Sequence, residues 1–339
     1  MYKKIGAVLA AAVVMTGVAA CEARPTSSAP AGNNLAASAE IPGPENVPSA
    51  CPAPGGGKLQ IGLVTPNLQA LFFNQVSTGA KTVADQAGVD LQVVSANDDA
   101  IQQSSAVDNL VAKKVQAIIV AAIDTEGIKP AVQRAAKAGV KVVAVDAIVA
   151  DPAVSTQVGT SNAESGRQMG DFLAKLANNT GKVGIVGALN STIQLERQKG
   201  FVDAIKAKGM TEGTVVDGKN VQESAQSAAE NLLTSSPDLK YVYATGEPAL
   251  IGLVAGVNNQ KAQSRINVVG WDLSESAMDG LKAGFVKGVV QQNTFKFGYE
   301  SMGAAIKASC GQTVEKNIPV PTQIVTPENV DSFAYYLKK

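Results

Sequence analysis

Histidine is missing from all 339 positions of the chain. Its absence removes Ser-His-Asp and Cys-His nucleophilic catalysis, imidazole-containing zinc sites and the commonest general base. Catalysis by carboxylates or lysine stays possible, but an enzyme becomes the weakest class. Charge is sparse as well, at 17% of residues, and 29 basic side chains balance 29 acidic ones. That balance leaves no basic footprint for nucleic acid. No GxGxxG opens a helical stretch, so a dinucleotide site has no support. The cluster Gly55-Gly56-Gly57-Lys58 lacks the spacing and the Ser or Thr of a phosphate loop, and it precedes a strand. Neither a cofactor nor a metal is expected.

What is present starts with a leader. Lys3 and Lys4 precede an apolar run from Ile5 to Ala20, too short and too poorly flanked for a membrane span, so residues 1–20 read as a signal peptide. The run closes on Val18-Ala19-Ala20-Cys21, which resembles a bacterial lipobox and implies a lipidated Cys21. The alternative is an ordinary signal peptide beside an incidental cysteine. From Glu22 to Gly57 the chain is dominated by Ala, Pro, Ser, Gly and Asn without apolar periodicity. Residues 21–57 therefore read as a lipid-anchored flexible tether, able to span roughly 30 Å as a coil. With Cys21 acylated, Cys51 and Cys310 are an even pair in an exported chain. They form either a disulfide or two free thiols.

The remaining 282 residues exceed a typical single core and point to two lobes. The stretch from Leu59 to Gly88 sets the pattern. Leu59, Ile61, Leu63 and Val64 form a buried strand, and Val76, Ala80, Val83, Ala84 and Ala87 recur at helical spacing before Gly88. Strands are expected at 90–95, 117–122, 140–146 and 154–159, with helices between them, one carrying Ile101, Val107, Leu110 and Val111. The alternation restarts with a helix that Asn162 can cap. Strands follow at 182–187, 214–217, 241–244, 266–270 and 289–292, and a last helix runs from Phe295 to Ser309. Repeated strand–helix alternation of this kind is the signature of parallel α/β folds.

Polar and aromatic residues gather at the expected strand ends, where open α/β sheets place ligands. Phe72 and Phe73 follow the first strand, Asp146 closes VVAVD, Arg197 lies in LERQKGF, Trp271-Asp272 follows INVVG, and Gln292 ends VVQQ. Each has a plainer role: core packing for the phenylalanines, a turn or cap for Asp146, a surface ion pair for Arg197. As a set, and with Gly79-Ala80 and Ala84-Asp85 in the first helix, they resemble the ribose-binding-protein-like, type I periplasmic sugar-binding family. The resemblance extends from about Leu59 to Val325.

That resemblance implies an α/β fold of two Rossmann-like lobes with parallel sheets joined by a three-segment hinge. Crossings fall near Thr160, Asn293 and Pro321, giving one lobe of 58–160 plus 293–321 and another of 161–292 plus 322–339. Cys51 and Cys310 then share a lobe. The implied function is an extracytoplasmic solute-binding lipoprotein. It captures a monosaccharide or short polyol and delivers it to an ABC permease, as a monomer. The implied ligand contacts are Asp146, Arg197, Asp272 and Gln292, with Phe72, Phe73 and Trp271 as walls. Two carboxylates with one guanidinium suit a neutral, hydroxyl-rich ligand, since each carboxylate accepts from two hydroxyls. The chain departs from the ribose-binding pattern at Ala147, Ala70 and Gly246-Glu247. Asn74, Asn220 and Glu247 are candidates to supply polar groups instead, so the ligand need not be ribose. A chemotaxis or quorum-signal receptor of the same fold is the alternative. A LacI-type regulator is a more distant one, because it needs a DNA-binding unit where this chain has a signal segment.

Overall fold

A computed structural model describes residues 41–337; the expected signal segment 1–20, Cys21 and tether residues 22–40 lie outside the described residues. The first half alternates β1 (Gln60–Thr65), α1 (Leu71–Ala87), β2 (Asp90–Ser95), α2 (Ala100–Ala112), β3 (Ala117–Val120), α3 (Lys129–Lys137), β4 (Lys141–Val145) and β5 (Val154–Gly159). The chain then crosses into α4 (Asn162–Leu176), β6 (Lys182–Gly187), α5 (Thr192–Ala207), β7 (Thr211–Asp217), α6 (Gln222–Ser235) and β8 (Tyr241–Ala244). This half continues through α7 (Glu247–Asn259), β9 (Asn267–Trp271), α8 (Glu275–Lys282) and β10 (Val286–Gln291). A return segment carries α9 (Thr294–Ser309), β11 (Asn317–Pro319), β12 (Gln323–Val325) and a final 3₁₀ turn, Val330–Leu337.

Two six-stranded sheets result, ordered β11-β5-β4-β3-β1-β2 and β12-β10-β9-β8-β6-β7. Every pairing is parallel except the edge pair β10–β12. The central strands of both sheets are buried on both faces, which is why they read as continuous Val/Ile/Leu runs, while the edge strands β2 and β7 are partly exposed. Alternation along each strand then divides the core by face. Ile61, Leu63, Ile119 and Val143 pack under α1 and α9, while Val64, Ile118, Val120 and Val142 pack under α2 and α3. The second sheet repeats the division, with Val183, Ile185, Val269 and Trp271 toward α4 and α5, and Val186, Val242 and Val268 toward α6, α7 and α8.

Close helix pairs depend on glycine. A side chain on Gly200 would run into the Ala163 carbonyl, and one on Gly166 into the Arg197 carbonyl, so α4 and α5 approach backbone to backbone. This approach presses the Arg197 turn against the start of α4.

Three segments differ from the sequence expectation. Asp99 caps α2 as its spacing implied, accepting from the Ile101 and Gln102 amides, but the Ile101 side chain is 79% exposed rather than in the core. The short strands β11 and β12 were not anticipated; they are edge additions whose Pro319 and Pro321 neighbours are tolerated only at edges or between strands. Finally, residues 41–57 are not a free coil. Tyr299 donates to the Pro42 carbonyl at 2.8 Å, Lys296 Nζ sits 3.2 Å from Glu45 Oε1, and Cys51 is disulfide-bonded to Cys310. Val47, Ala50 and Ala53 join the apolar cluster beneath α9. Among the described residues no helix is long and apolar enough to cross a membrane.

The disulfide links positions 259 residues apart, so it constrains a large loop of the unfolded chain. Replacing Cys310 by Ser is expected to lower the free energy of unfolding by about 2–4 kcal/mol in a urea titration. Thiol titration of the denatured wild-type chain, truncated after Cys21, should detect no free thiol before reduction.

Candidate ligand-binding cleft

The carboxyl ends of the two sheets carry the polar groups, and the most constrained of them is Arg197. It is 6% exposed on α5. Its Nε donates to Asn162 Oδ1 at 2.9 Å and its Nη1 to the Thr245 carbonyl at 3.4 Å. The guanidinium carbon lies 3.7 Å from the centre of the Trp271 ring. Trp271 is fully buried, its Nε1 donates to Tyr243 Oη at 2.6 Å, and Tyr243 stacks on Phe201 with ring centres 3.9 Å apart. The expected aromatic wall is therefore a platform under the arginine. Burial lowers the Arg197 pKa from its ordinary value, opposed by Asp272 and more weakly by Tyr243 and Asp146. Asn162 is the first helical residue, after Ser161, and its side chain holds Arg197 rather than capping α4.

Asp272 follows β9 in a left-handed conformation, φ 60°. Gln292 Nε2 donates to both of its oxygens at 3.0 Å, and Arg197 Nη1 stands 4.0 Å from Oδ2. That separation is an ion pair without a direct hydrogen bond. Burial raises the Asp272 pKa, with Arg197 and Gln292 pulling it back. Asp146 has the equivalent position in the other sheet, directly after β4 with φ 68°. Burial pushes it up to about 6, Arg197 opposes that rise and Asp272 adds to it. The two carboxylates thus come from different lobes and share one guanidinium between them. Left-handed φ is uncommon outside glycine, with Asp and Asn enriched, and such residues collect at functional sites.

Gln292 is 3% exposed, and its Oε1 accepts from Thr160 Oγ1 at 3.0 Å. Thr160 and Gln292 lie on two separate crossings between the sheets, so this bond ties the hinge to Asp272. On the third crossing Thr322 Oγ1 donates to Ser165 Oγ at 2.9 Å. Gln75, on α1, takes the Thr294 hydroxyl at 2.5 Å and donates to the Tyr336 carbonyl at 2.7 Å. A cavity of about 670 Å³ opens beside these segments, lined by Asp146, Thr160, Asn162 and Glu196 among others. Its volume lies within the range of small-ligand pockets.

The other sequence candidates sit further out. Phe72 and Phe73 form an edge-on pair 5.1 Å apart in the first turn of α1, and Phe72 also meets Phe297 at 5.8 Å. Both are half-buried, so they pack in the core and still present surface. Asn74 is exposed. Asn220 is exposed and accepts from Gln194 Nε2 at 2.7 Å. Glu247 opens α7 with its surface open to water, yet the protein around the cleft wall and the charge of Asp272 push it up to about 7. Thr160 was expected only at a crossing and Asn162 only as a helix cap, while Gln194 and Thr245 were not singled out from sequence. Nothing in residue spacing separates Asn162, Gln194 and Thr245 from surface polar residues; their burial does. Among the described residues no cluster of acidic or Cys side chains can hold a metal ion.

Because the folded state raises the Asp146 pKa to about 6, its ionisation opposes folding above that pH and has no effect below its unfolded value of about 4. Stability is thus lost as pH rises through this window. Asp146→Asn is expected to raise the thermal unfolding midpoint of the unliganded protein near pH 7.5 and to leave it unchanged near pH 3.5, by differential scanning calorimetry. An equal effect at both pH values would remove titration as its cause.

The family described as "Periplasmic binding protein domain" matches residues 61–313. A D-ribose/D-allose-binding protein of Pseudomonas aeruginosa is 29% identical over 285 residues, covering 79% of this chain and 89% of that protein. A periplasmic solute-binding protein of an ABC transporter from Actinobacillus succinogenes, solved with bound D-allose, superposes with a TM-score of 0.74 at 27% identity, covering 82% of this chain and all of that one (100%). The arabinose-binding protein AraP of Geobacillus stearothermophilus shares the fold, with a TM-score of 0.77 at 22% identity, over 82% of this chain and 99% of its own. Two α/β lobes built on mostly parallel sheets agree with these matches, and the chain belongs to the periplasmic binding protein domain family, whose members bind solutes and are not enzymes.

Proposed function

We propose that this protein captures a monosaccharide or short polyol between its lobes and delivers it to an ABC importer. The observation that carries the reading is that Asp146 and Asp272 end equivalent strands of the two sheets, with the charge of Arg197 acting on both and Gln292 bonded to Asp272. Each carboxylate accepts two hydroxyl protons, and a hydroxyl-rich ring returns to them the hydrogen bonds that burial removed. Lobe closure about the three crossings brings Asp146 and Asp272 onto one ligand, with no covalent step. In this reading the moving bodies are residues 58–160 with 293–321 and residues 161–292 with 322–339. The bound sugars named for the relatives support the ligand class. A phosphate ester is disfavoured, because its charge would meet two carboxylates. Lipidated Cys21 holds the protein, as a monomer, on the extracytoplasmic face of the membrane.

A thermal-shift screen against monosaccharides and polyols tests the ligand class, since a ligand that binds only the folded state raises the midpoint by mass action. Asp272→Asn is expected to weaken the best ligand of that screen at least about tenfold, equivalent to roughly 1.4 kcal/mol, while circular dichroism shows a folded protein. Unchanged affinity in a folded variant would take Asp272 out of the site.

Anchoring is checked separately. Cys21→Ala should shift the protein out of the membrane fraction or leave its leader uncleaved; unchanged fractionation and processing would refute lipidation.

A further inference from the structure

The cleft carries more negative charge than its one cation balances. Arg197 stands 4.0 Å from Asp272, whereas Asp146 and Glu247 have no ion pair among the described residues; Arg197 also acts on Asp146, and Asp272 on Glu247. Position 147, beside Asp146, is an alanine. Glu247 belongs to the same wall. It follows Thr245, whose carbonyl receives Arg197 Nη1 at 3.4 Å, and Gly246, where any side chain would run into that of Gln194. The adjoining cavity has the same bias: its charged lining residues are Asp146, Glu164 and Glu196, with no Lys or Arg. Glu164 is paired with Arg167 outside it, whereas Asp146 and Glu196 have no ion pair among the described residues.

Hydroxyls satisfy the hydrogen-bonding capacity of these carboxylates but do not cancel their charge. A metal ion would cancel it, yet no three acidic side chains among the described residues converge closely enough to hold one. An ammonium group supplies both a positive charge and three donors, and it tolerates acceptors spread over several ångströms of a wall. We propose that the ligand is an amino sugar or aminated polyol, hydroxylated around a single ring, with one protonated primary amine set against Asp272 and Glu247. This rests on the polyol reading above and narrows its ligand class.

A pH signature separates the two. Glu247 opens α7 after β8 and Asp272 ends the neighbouring strand β9, with Arg197 4.0 Å from Asp272; Asp146 and Glu196 line the adjoining cavity, and the phenols Tyr243 and Tyr336 are kept neutral by burial. A cation binds best when the carboxylates are ionised, so affinity for an aminated ligand rises with pH through about 6 to 7. A neutral polyol lacks that gain, because a protonated carboxyl can still donate to it.

Isothermal titration of the purified protein with D-glucosamine against D-glucose, and with an aminodeoxyinositol against myo-inositol, tests this near pH 5 and near pH 7. The aminated member of at least one pair is expected to bind at least about tenfold more tightly than its neutral partner near pH 7. That preference should shrink at least about threefold near pH 5, and Glu247→Gln should cut it at least about fivefold. The wild-type pH comparison stands even where Glu247→Gln does not fold. Equal or tighter binding of the neutral members at both pH values would overturn the amine while leaving the polyol reading intact. Binding of neither member of either pair, together with an empty thermal-shift screen, would overturn both.

Discussion

A guanidinium buried in a protein must be neutralised and hydrogen-bonded, or it costs several kcal/mol. Arg197 meets that requirement without a direct hydrogen bond to a carboxylate. Asn162 and the Thr245 carbonyl take its protons, the Trp271 face lies under its plane, and Asp272 stands 4.0 Å away. A desolvated cation over a tryptophan contributes about 2 kcal/mol or more, comparable to a charged hydrogen bond. Asp272 therefore supplies charge to Arg197 while keeping acceptor capacity for a ligand. The aromatic stack Phe201–Tyr243–Trp271 fixes the height of the platform, and the glycine contacts between α4 and α5 fix the helix that carries the arginine.

The hinge is part of this arrangement rather than a passive linker. Gln292 joins Thr160 on one crossing to Asp272 at the end of β9. Gln75 joins the first lobe to Thr294 and to the final 3₁₀ turn through Tyr336. Two of the three crossings are thus bonded into the network around Asp272. Buried amides suit this role because each can donate and accept in fixed directions, and leaving either function unmet costs about 1–3 kcal/mol. Asp146, at the equivalent strand end of the other sheet, combines a left-handed backbone with a raised pKa, a local instability within the fold.

The segment before β1 adds a constraint of its own. From Pro42 at Tyr299 to Cys51 at Cys310, it runs along α9 in the direction of the helix. Pro42 and Glu45, near the start of the described residues, therefore lie beside the N-terminal half of α9, close to the second crossing. Composition alone gave this segment no reason to be ordered. Its Pro residues limit the freedom it must lose, and the disulfide supplies the long-range closure that a short apolar contact set would not sustain.

Much of the fold was readable because parallel strands buried on both faces must be apolar without interruption, and helices must repeat at their own period. Strands such as 182–187 and 241–244 were legible to the residue for that reason. The candidate carboxylates were legible too, since a lone charged residue at the end of such a strand is conspicuous. Burial and long-range pairing were not. Asn162 looked like a cap and is the partner of Arg197; Trp271 looked like a wall and is a floor; β11 and β12 are too short to carry a period. The sequence by itself determined the alternation, the two sheets and the residues at their ends, because those follow from local periodicity. Only the tertiary structure decided which polar groups meet, because hydrogen bonds such as Thr160 to Gln292 and Arg197 to Asn162 join positions whose proximity no local pattern encodes.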